Sequence, residues 1–407
     1  MPTRLAGSAL GLVALLVAVV APAQPAAAPP RPEPPPSRLG VHMLLSEGVT
    51  PWPARAWREH LGLAAESLGP GGYVVQVLSD GNRDPARWQA LMAGARRHGL
   101  RPIVRLATRY DRKARFWRAP QVDRTRTSYR RVAAGYRVFL DALRWPPGER
   151  IVIVGNEPNR GDEWGDRPDP AAYVRFLRDV AAELRPAGYT VLNAALDPYC
   201  PNTNGARIDR VRYVDAESFL DGMRRAEPAF HTWIDGWASH AYPQGPFAAP
   251  PGEQSFKIDL LNGAANPDHL APDPGVVNRG VNGYAFELQK LASYGAAALP
   301  VWVTETGWRH RESPVASRDA HGAVLTHQEV AERMRQALVG PGEGFTPWLS
   351  DPRVRVVVFF GFDGDPRHWG HSSWLEMSPD GQVRGRYAPF DVLRGLGLPS
   401  RAPLLSS

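Results

Sequence analysis

Two apolar runs, each ending in a glutamate, constrain the fold of this 407-residue chain most. The first reads Ile151-Val152-Ile153-Val154-Gly155-Asn156-Glu157-Pro158. The second reads Pro300-Val301-Trp302-Val303-Thr304-Glu305-Thr306-Gly307-Trp308. A continuous β-branched run is a strand buried on both faces, as in a parallel sheet covered by helices. Such a strand delivers its C-terminal residues to one edge of the sheet. In a (β/α)8 barrel that edge is where reactive groups collect.

Six more candidate strands complete the pattern: Leu39 to Leu44, Tyr73 to Leu78, Pro102 to Ala107, Thr190 to Ala195, Ile234 to Ser239 and Val354 to Phe360. The glutamate-bearing strands are fourth and seventh, over Arg150 to Gly155 and Pro300 to Thr304. Helical segments fill most gaps. Asp84-Pro85 and Asp169-Pro170 each supply an N-cap followed by a first-turn proline. Ser128 to Leu143, Asp215 to Arg225, Tyr284 to Ser293 and Thr326 to Leu338 supply four more. Eight alternating units predict an α/β fold, a closed (β/α)8 TIM barrel with long loops at the strand C-termini. The first strand-to-helix turn lacks a glycine-rich dinucleotide fingerprint, which disfavours an open doubly wound sheet. Pro243 to Asn282, after strand six, is the longest insertion and falls on the active side.

The N-terminus reads as an export signal over residues 1–23. Arg4 is the charged flank, Leu10 to Val20 the apolar stretch, and Ala21-Pro22-Ala23 the small-residue cleavage region. That stretch is shorter than the ~20 residues of a membrane span. Residues 24–37 are an Ala/Pro-rich linker, and 38–407 form one catalytic-size domain. The expected location is outside the cytoplasm, secreted or periplasmic, and the expected state is a monomer. Cys200 is the only cysteine, so no internal disulfide exists. No Cys/His spacing suggests zinc.

The net charge is +7, almost all of it arginine; Lys113, Lys257 and Lys290 are the only lysines. One cluster stands out after strand three: Arg109, Arg112, Lys113, Arg115, Arg118, Arg124 and Arg126, with Phe116 and Trp117 among them. It suggests either a rim for an anionic ligand or a solvated loop in an arginine-rich chain. Nucleic acid is disfavoured as a partner by the export signal and the carboxylate pair.

The Asn156-Glu157-Pro158 motif on strand four, with Glu305 on strand seven, resembles the clan-A retaining glycoside hydrolases. These include the family 5 cellulase-like and family 39 xylosidase-like barrels. The resemblance spans Arg38 to Gly397. It implies that Glu157 is the acid/base, Glu305 the nucleophile and Asn156 the partner of a sugar 2-hydroxyl. His240 and Tyr242, in Ser239-His240-Ala241-Tyr242-Pro243, match supporting residues, Tyr242 orienting the nucleophile. Arg105 corresponds to the clan's arginine near the nucleophile, although that arginine usually follows strand two.

The chemistry of the residues agrees. A retaining glycosidase sets two carboxyl groups about 5–5.5 Å apart, one ionised to attack and one protonated to donate. His42, at the end of strand one, is a candidate for a sugar hydroxyl or for filling the barrel mouth. Trp308, Trp369 and Trp374 are candidate stacking platforms or ordinary packing. The substrate expected is a polysaccharide or oligosaccharide, with no cofactor and no metal. Two competing readings remain. One is a catalytically silent carbohydrate-binding barrel. The other is a metal-dependent sugar-processing barrel with Glu157, Asp197 and Asp363 as ligands.

Overall fold

The computed structural model describes residues 37–45, 52–124, 127–254, 280–310, 325–342 and 345–397. The signal, most of the linker, Arg126 and the larger part of the strand-six insertion lie outside them.

Eight parallel strands form one sheet: β1 (Leu39–His42), β2 (Tyr73–Leu78), β3 (Arg101–Leu106), β4 (Arg150–Val154), β5 (Tyr189–Asn193), β6 (Trp237–His240), β7 (Val301–Glu305) and β8 (Val354–Phe359). Each strand pairs with its neighbours in chain order, and β8 returns to β1 with Leu39 opposite Val357. The remaining seam, β5 to β6, closes differently. Leu192 bridges Gly236, and the Asp235 N–H donates to the Val191 carbonyl. The Asn193 amide then continues the ladder: its Nδ2 donates to the Ala238 carbonyl at 3.0 Å and its Oδ1 accepts from the Ala238 N–H at 2.8 Å. The result is a nearly closed (β/α)8 barrel.

Period-two alternation separates two apolar compartments. Tyr73, Val75, Ile103, Ile151, Ile153, Leu192, Ala238, Trp302, Val356 and Val358 fill the barrel interior. Their neighbours Val74, Val104, Val152, Val154, Val191, Val301 and Val303 face the helices. Trp302 plugs the barrel so closely that a Cβ at position 236 would meet its indole at 2.7 Å, and only glycine fits there.

Helices α1 (Ala54–Leu68), α2 (Pro85–Arg97), α3 (Arg130–Asp141), α4 (Pro170–Leu184), α5 (Ala216–Ala226), α6 (Tyr284–Ser293), α7 (His327–Val339) and α8 (Ala388–Gly397) cover the outside. Asp84, Asp169 and Asp215 cap α2, α4 and α5, accepting from the N–H groups of Ala86, Ala172 and Ser218. Thr326 and Glu329 form a reciprocal capping box on α7. The two Asp-Pro helix starts and the bounds of the four other predicted helices match within two residues. The predicted start of strand six at Ile234 is early. Asp235 uses its side chain to accept from Val191, so the chain enters the sheet only at Trp237.

Candidate active site

The C-terminal ends of the strands open into one cleft of about 1320 Å³. Glu305 is the last residue of β7 and is 6% exposed. Glu157 lies three residues past β4 and is 9% exposed. The turn that carries it is tight. Gly155 has φ 97° and Glu157 itself φ 32°, a left-handed conformation that a glutamate adopts at a cost of order 1–3 kcal/mol. The Glu157 N–H donates to the Ala195 carbonyl beyond β5, which holds the turn.

His240, the last residue of β6, sits between the two carboxylates. Its Nδ1 is 2.7 Å from Glu157 Oε1 and 3.8 Å from Glu305 Oε2. One carboxylate oxygen of each glutamate and one ring nitrogen of His240 lie within 4.8 Å of one another. The barrel has thus brought together residues 148 positions apart in sequence.

The two carboxylates have opposite surroundings. Arg105, buried on β3, hydrogen-bonds Glu305 Oε1, and the Tyr242 hydroxyl donates to Oε2 at 2.9 Å. Burial alone would raise the Glu305 pKa. Its electrostatic interactions with His240 and Arg105, with the Arg105 bond, outweigh it and bring it down to about 2. Glu157 shifts the other way. Burial and the Asp197 carboxylate raise its pKa, against the opposing pull of His240 and Arg160. The surroundings thus push the pKa values of the two carboxyl groups apart, Glu305 down and Glu157 up.

His42, the last residue of β1, is fully buried, with its ring stacked on Phe360 at 5.1 Å. Burial and Arg105 lower its pKa to about 3, so it is neutral. Asn156 lines the cleft beside Glu157 and bonds the Glu163 carboxyl group. The tryptophans differ. Trp308 and Trp374 are each 3% exposed, and the Trp308 indole N–H donates to the Ala249 carbonyl. Trp369 is only half-buried, edge-on to Phe360.

A second set of groups was not singled out from sequence. Arg160 Nη1 reaches Glu157 Oε2 at 3.3 Å and Asp197 at 3.2 Å, while its Nε and Nη2 hold Asp162. Burial pushes the neighbouring Glu163 carboxyl up to about 8. The Arg160 spacing of three residues from Glu157, in a polar-rich loop, is the only signal that pointed to it. Asp197 appeared in the sequence reading as a metal ligand and is instead the partner of Arg160.

Asp363 is not in the cleft wall. It is fully buried, with Oδ1 accepting from the Leu44 N–H and Oδ2 2.8 Å from His60 Nδ1. The ligand set Glu157, Asp197 and Asp363 is therefore not assembled. Glu157, His240 and Glu305 are the one group among the described residues spaced to hold a metal ion. Both Glu305 oxygens already accept hydrogen bonds, however, and the Arg105 guanidinium would repel a cation there.

No family model and no curated protein matches the sequence. Solved structures match the fold. GH5_18 from Streptomyces cattleya, in complex with GlcNAc, superposes with a TM-score of 0.53 at 16% identity, over 88% of this chain and 79% of that one. A GH5_18 variant from Bifidobacterium longum subsp. longum, in complex with Manβ1-4GlcNAc, does so with a TM-score of 0.51 at 14% identity, over 89% and 78%. These structures share the (β/α)8 barrel fold of this chain. At these identities the likeness speaks for the fold.

Proposed function

We propose that the protein is a glycoside hydrolase that cleaves O-glycosidic bonds of a poly- or oligosaccharide with retention of anomeric configuration. One observation carries the reading: two facing carboxyl groups, with oxygens within 4.8 Å, held in environments that separate their pKa values. Glu305, ionised, attacks the anomeric carbon, and the glycosidic bond to the leaving oxygen breaks. Glu157 gives its proton to that oxygen as it departs. A glycosyl ester on Glu305 results. Glu157, now a carboxylate, takes a proton from water, and the resulting hydroxide displaces Glu305.

The supporting groups have definite tasks. Tyr242 and Arg105 keep Glu305 ionised and fix its orientation. His240 positions Glu157 and Asn156 is placed for a sugar hydroxyl. Trp369 offers a ring for the apolar face of a sugar. Both solved neighbours carry sugars in their complexes, which agrees by analogy of fold. No cofactor enters this chemistry. Export as a monomer, after removal of residues 1–23, belongs to the same reading.

The test is a screen of polysaccharides and aryl glycosides with wild type and Glu305→Gln. Product configuration is followed by proton NMR. Activity lost in Glu305→Gln and a product of unchanged configuration are expected. An inverted product, or activity retained in the variant, would overturn the reading. Full activity after prolonged chelation is expected as well; activity restored only by a divalent ion would favour the metal-dependent alternative.

A further inference from the structure

The loop after β3 folds into a small hairpin, Tyr110–Asp111 paired antiparallel with Phe116–Trp117. Its conformation is set by one carboxylate. Asp111 Oδ1 accepts from the N–H groups of Lys113 and Ala114, and Oδ2 accepts from the Arg118 guanidinium. Arg115 takes the left-handed turn position, with φ 62°. Two further bonds fasten the hairpin to the loop that carries Glu157. The Trp117 N–H donates to the Asp162 carbonyl and the Gly165 N–H to the Trp117 carbonyl, each at 2.7 Å. Gly165 has φ 64°, and a Cβ there would meet the Ala119 nitrogen at 2.8 Å. The hairpin is therefore a fixed wall of the cleft, built to a close tolerance.

Its charge is unbalanced. Arg109, Arg112 and Arg115 are exposed and line the cleft, and Lys113 flanks them. None of these four makes an ion pair among the described residues. The other cleft arginines are committed elsewhere. Arg83 pairs with Asp80, Arg87 with Asp84 and Arg105 with Glu305. Arg160 holds Asp162 and Asp197, and Arg309 lies over the Phe247 ring at 4.5 Å. Asp80, Asp84, Asp162, Asp197 and Glu305 in the cleft thus each have a basic partner of their own. The positive charge of the hairpin is left for a ligand. Tyr110, 45% exposed, and Trp117 stand edge to face at 5.2 Å on the same hairpin, an apolar surface beside the guanidinium groups.

We propose that this hairpin is a subsite for an anionic glycan. Arg109, Arg112 and Arg115 bind its carboxylate or sulfate groups, and Tyr110 and Trp117 contact its sugar rings. The proposal rests on the glycosidase reading for the location of the substrate, but its binding chemistry is independent of turnover. Guanidinium forks suit planar carboxylates and sulfate oxygens alike. Fixed geometry lowers the ordering cost of binding.

The test measures binding to the full chain carrying Glu305→Gln, so that no probe is consumed. The probes are hexuronate oligosaccharides, their carboxyl-reduced neutral counterparts and chondroitin sulfate oligosaccharides. Hexuronate binding is expected to weaken with salt. It should also weaken about tenfold or more in Arg109→Ser/Arg112→Ser/Arg115→Ser, because charge-assisted contacts are removed. The single variant Arg112→Glu should weaken it more than Arg112→Gln, and serves if the triple variant folds poorly. The neutral counterpart should respond to none of these changes. Preference for the sulfated probe with the same salt and variant response would assign the site to sulfate. Neutral probes bound as tightly as acidic ones, with no effect of salt or variant, would overturn the proposal and leave the glycosidase reading standing. Failure of all probes to bind overturns it as well. Acidic probes bound as described, with no glycoside cleaved by wild type, would instead sink the hydrolase reading and keep the subsite.

Discussion

The Tyr242 hydroxyl donates to Glu305 Oε2 at 2.9 Å, on the side of the carboxylate opposite Arg105. Burial and the nearby glutamates raise the Tyr242 pKa, so it remains a donor throughout the working range. Tyr242→Phe removes one charge-assisted bond, worth about 1.5–3 kcal/mol. Turnover of an aryl glycoside should fall about 10- to 100-fold with the thermal melt nearly unchanged. A variant as active as wild type would remove Tyr242 from the mechanism.

The pH profile follows from the two shifted glutamates. In the proposed mechanism Glu305 acts ionised, and its pKa of about 2 puts the acidic limb of kcat/KM far down. In the same mechanism Glu157 acts protonated, so activity should fall as pH rises through its elevated value. Asp197 raises that value and Arg160 lowers it. Asp197→Asn should therefore move the alkaline limb to lower pH, and Arg160→Gln should move it to higher pH. Shifts in the same direction for both variants would contradict the assignment of the limb to Glu157.

Much of this was legible in the chain. β2 was read at its observed bounds, and β4 and β8 within one residue, because buried parallel strands carry uninterrupted apolar runs. The Asp-Pro starts of α2 and α4 were legible for the same kind of local reason. Helices α1 and α8 were missed. Pro53 before α1 makes no side-chain cap bond and the first turn of α1 has no acidic residue, so its start carries no signal. The Arg160–Asp162–Asp197 network lies in loops, where no periodicity marks which charges meet. His60 and Asp363, 303 residues apart, join only through the closure of the barrel.

Glu157 and Glu305 should respond differently to leaving-group chemistry. If Glu157 is the acid, Glu157→Ala should slow poor leaving groups by about 10²–10⁴. Activated aryl glycosides need little protonation and should suffer far less in formation of the glycosyl ester. Azide, which needs no general base, should rescue the second step and give a glycosyl azide of the substrate's own configuration. Equal losses on both substrate types, with no azide product, would assign the acid elsewhere.

The His60–Asp363 pair should govern stability rather than catalysis. Both side chains are fully buried, and they tie α1 to the β1 and β8 loops, with Leu44 N–H and the Gly381 carbonyl completing the network. Burial lowers the His60 pKa, but the Asp363 bond and charge prevail and raise it. A raised histidine contributes stability that is full below its unfolded value of ~6.5 and lost as pH rises through the folded value. Asp363→Ala leaves a buried partner uncompensated and should cost about 3–5 kcal/mol in denaturant unfolding at pH 6. The cost should shrink toward alkaline pH, where His60 gives up its proton and the ion pair is lost. An unfolding midpoint equal to wild type at pH 6, or a deficit that grows with pH, would rule out an ion pair at this position.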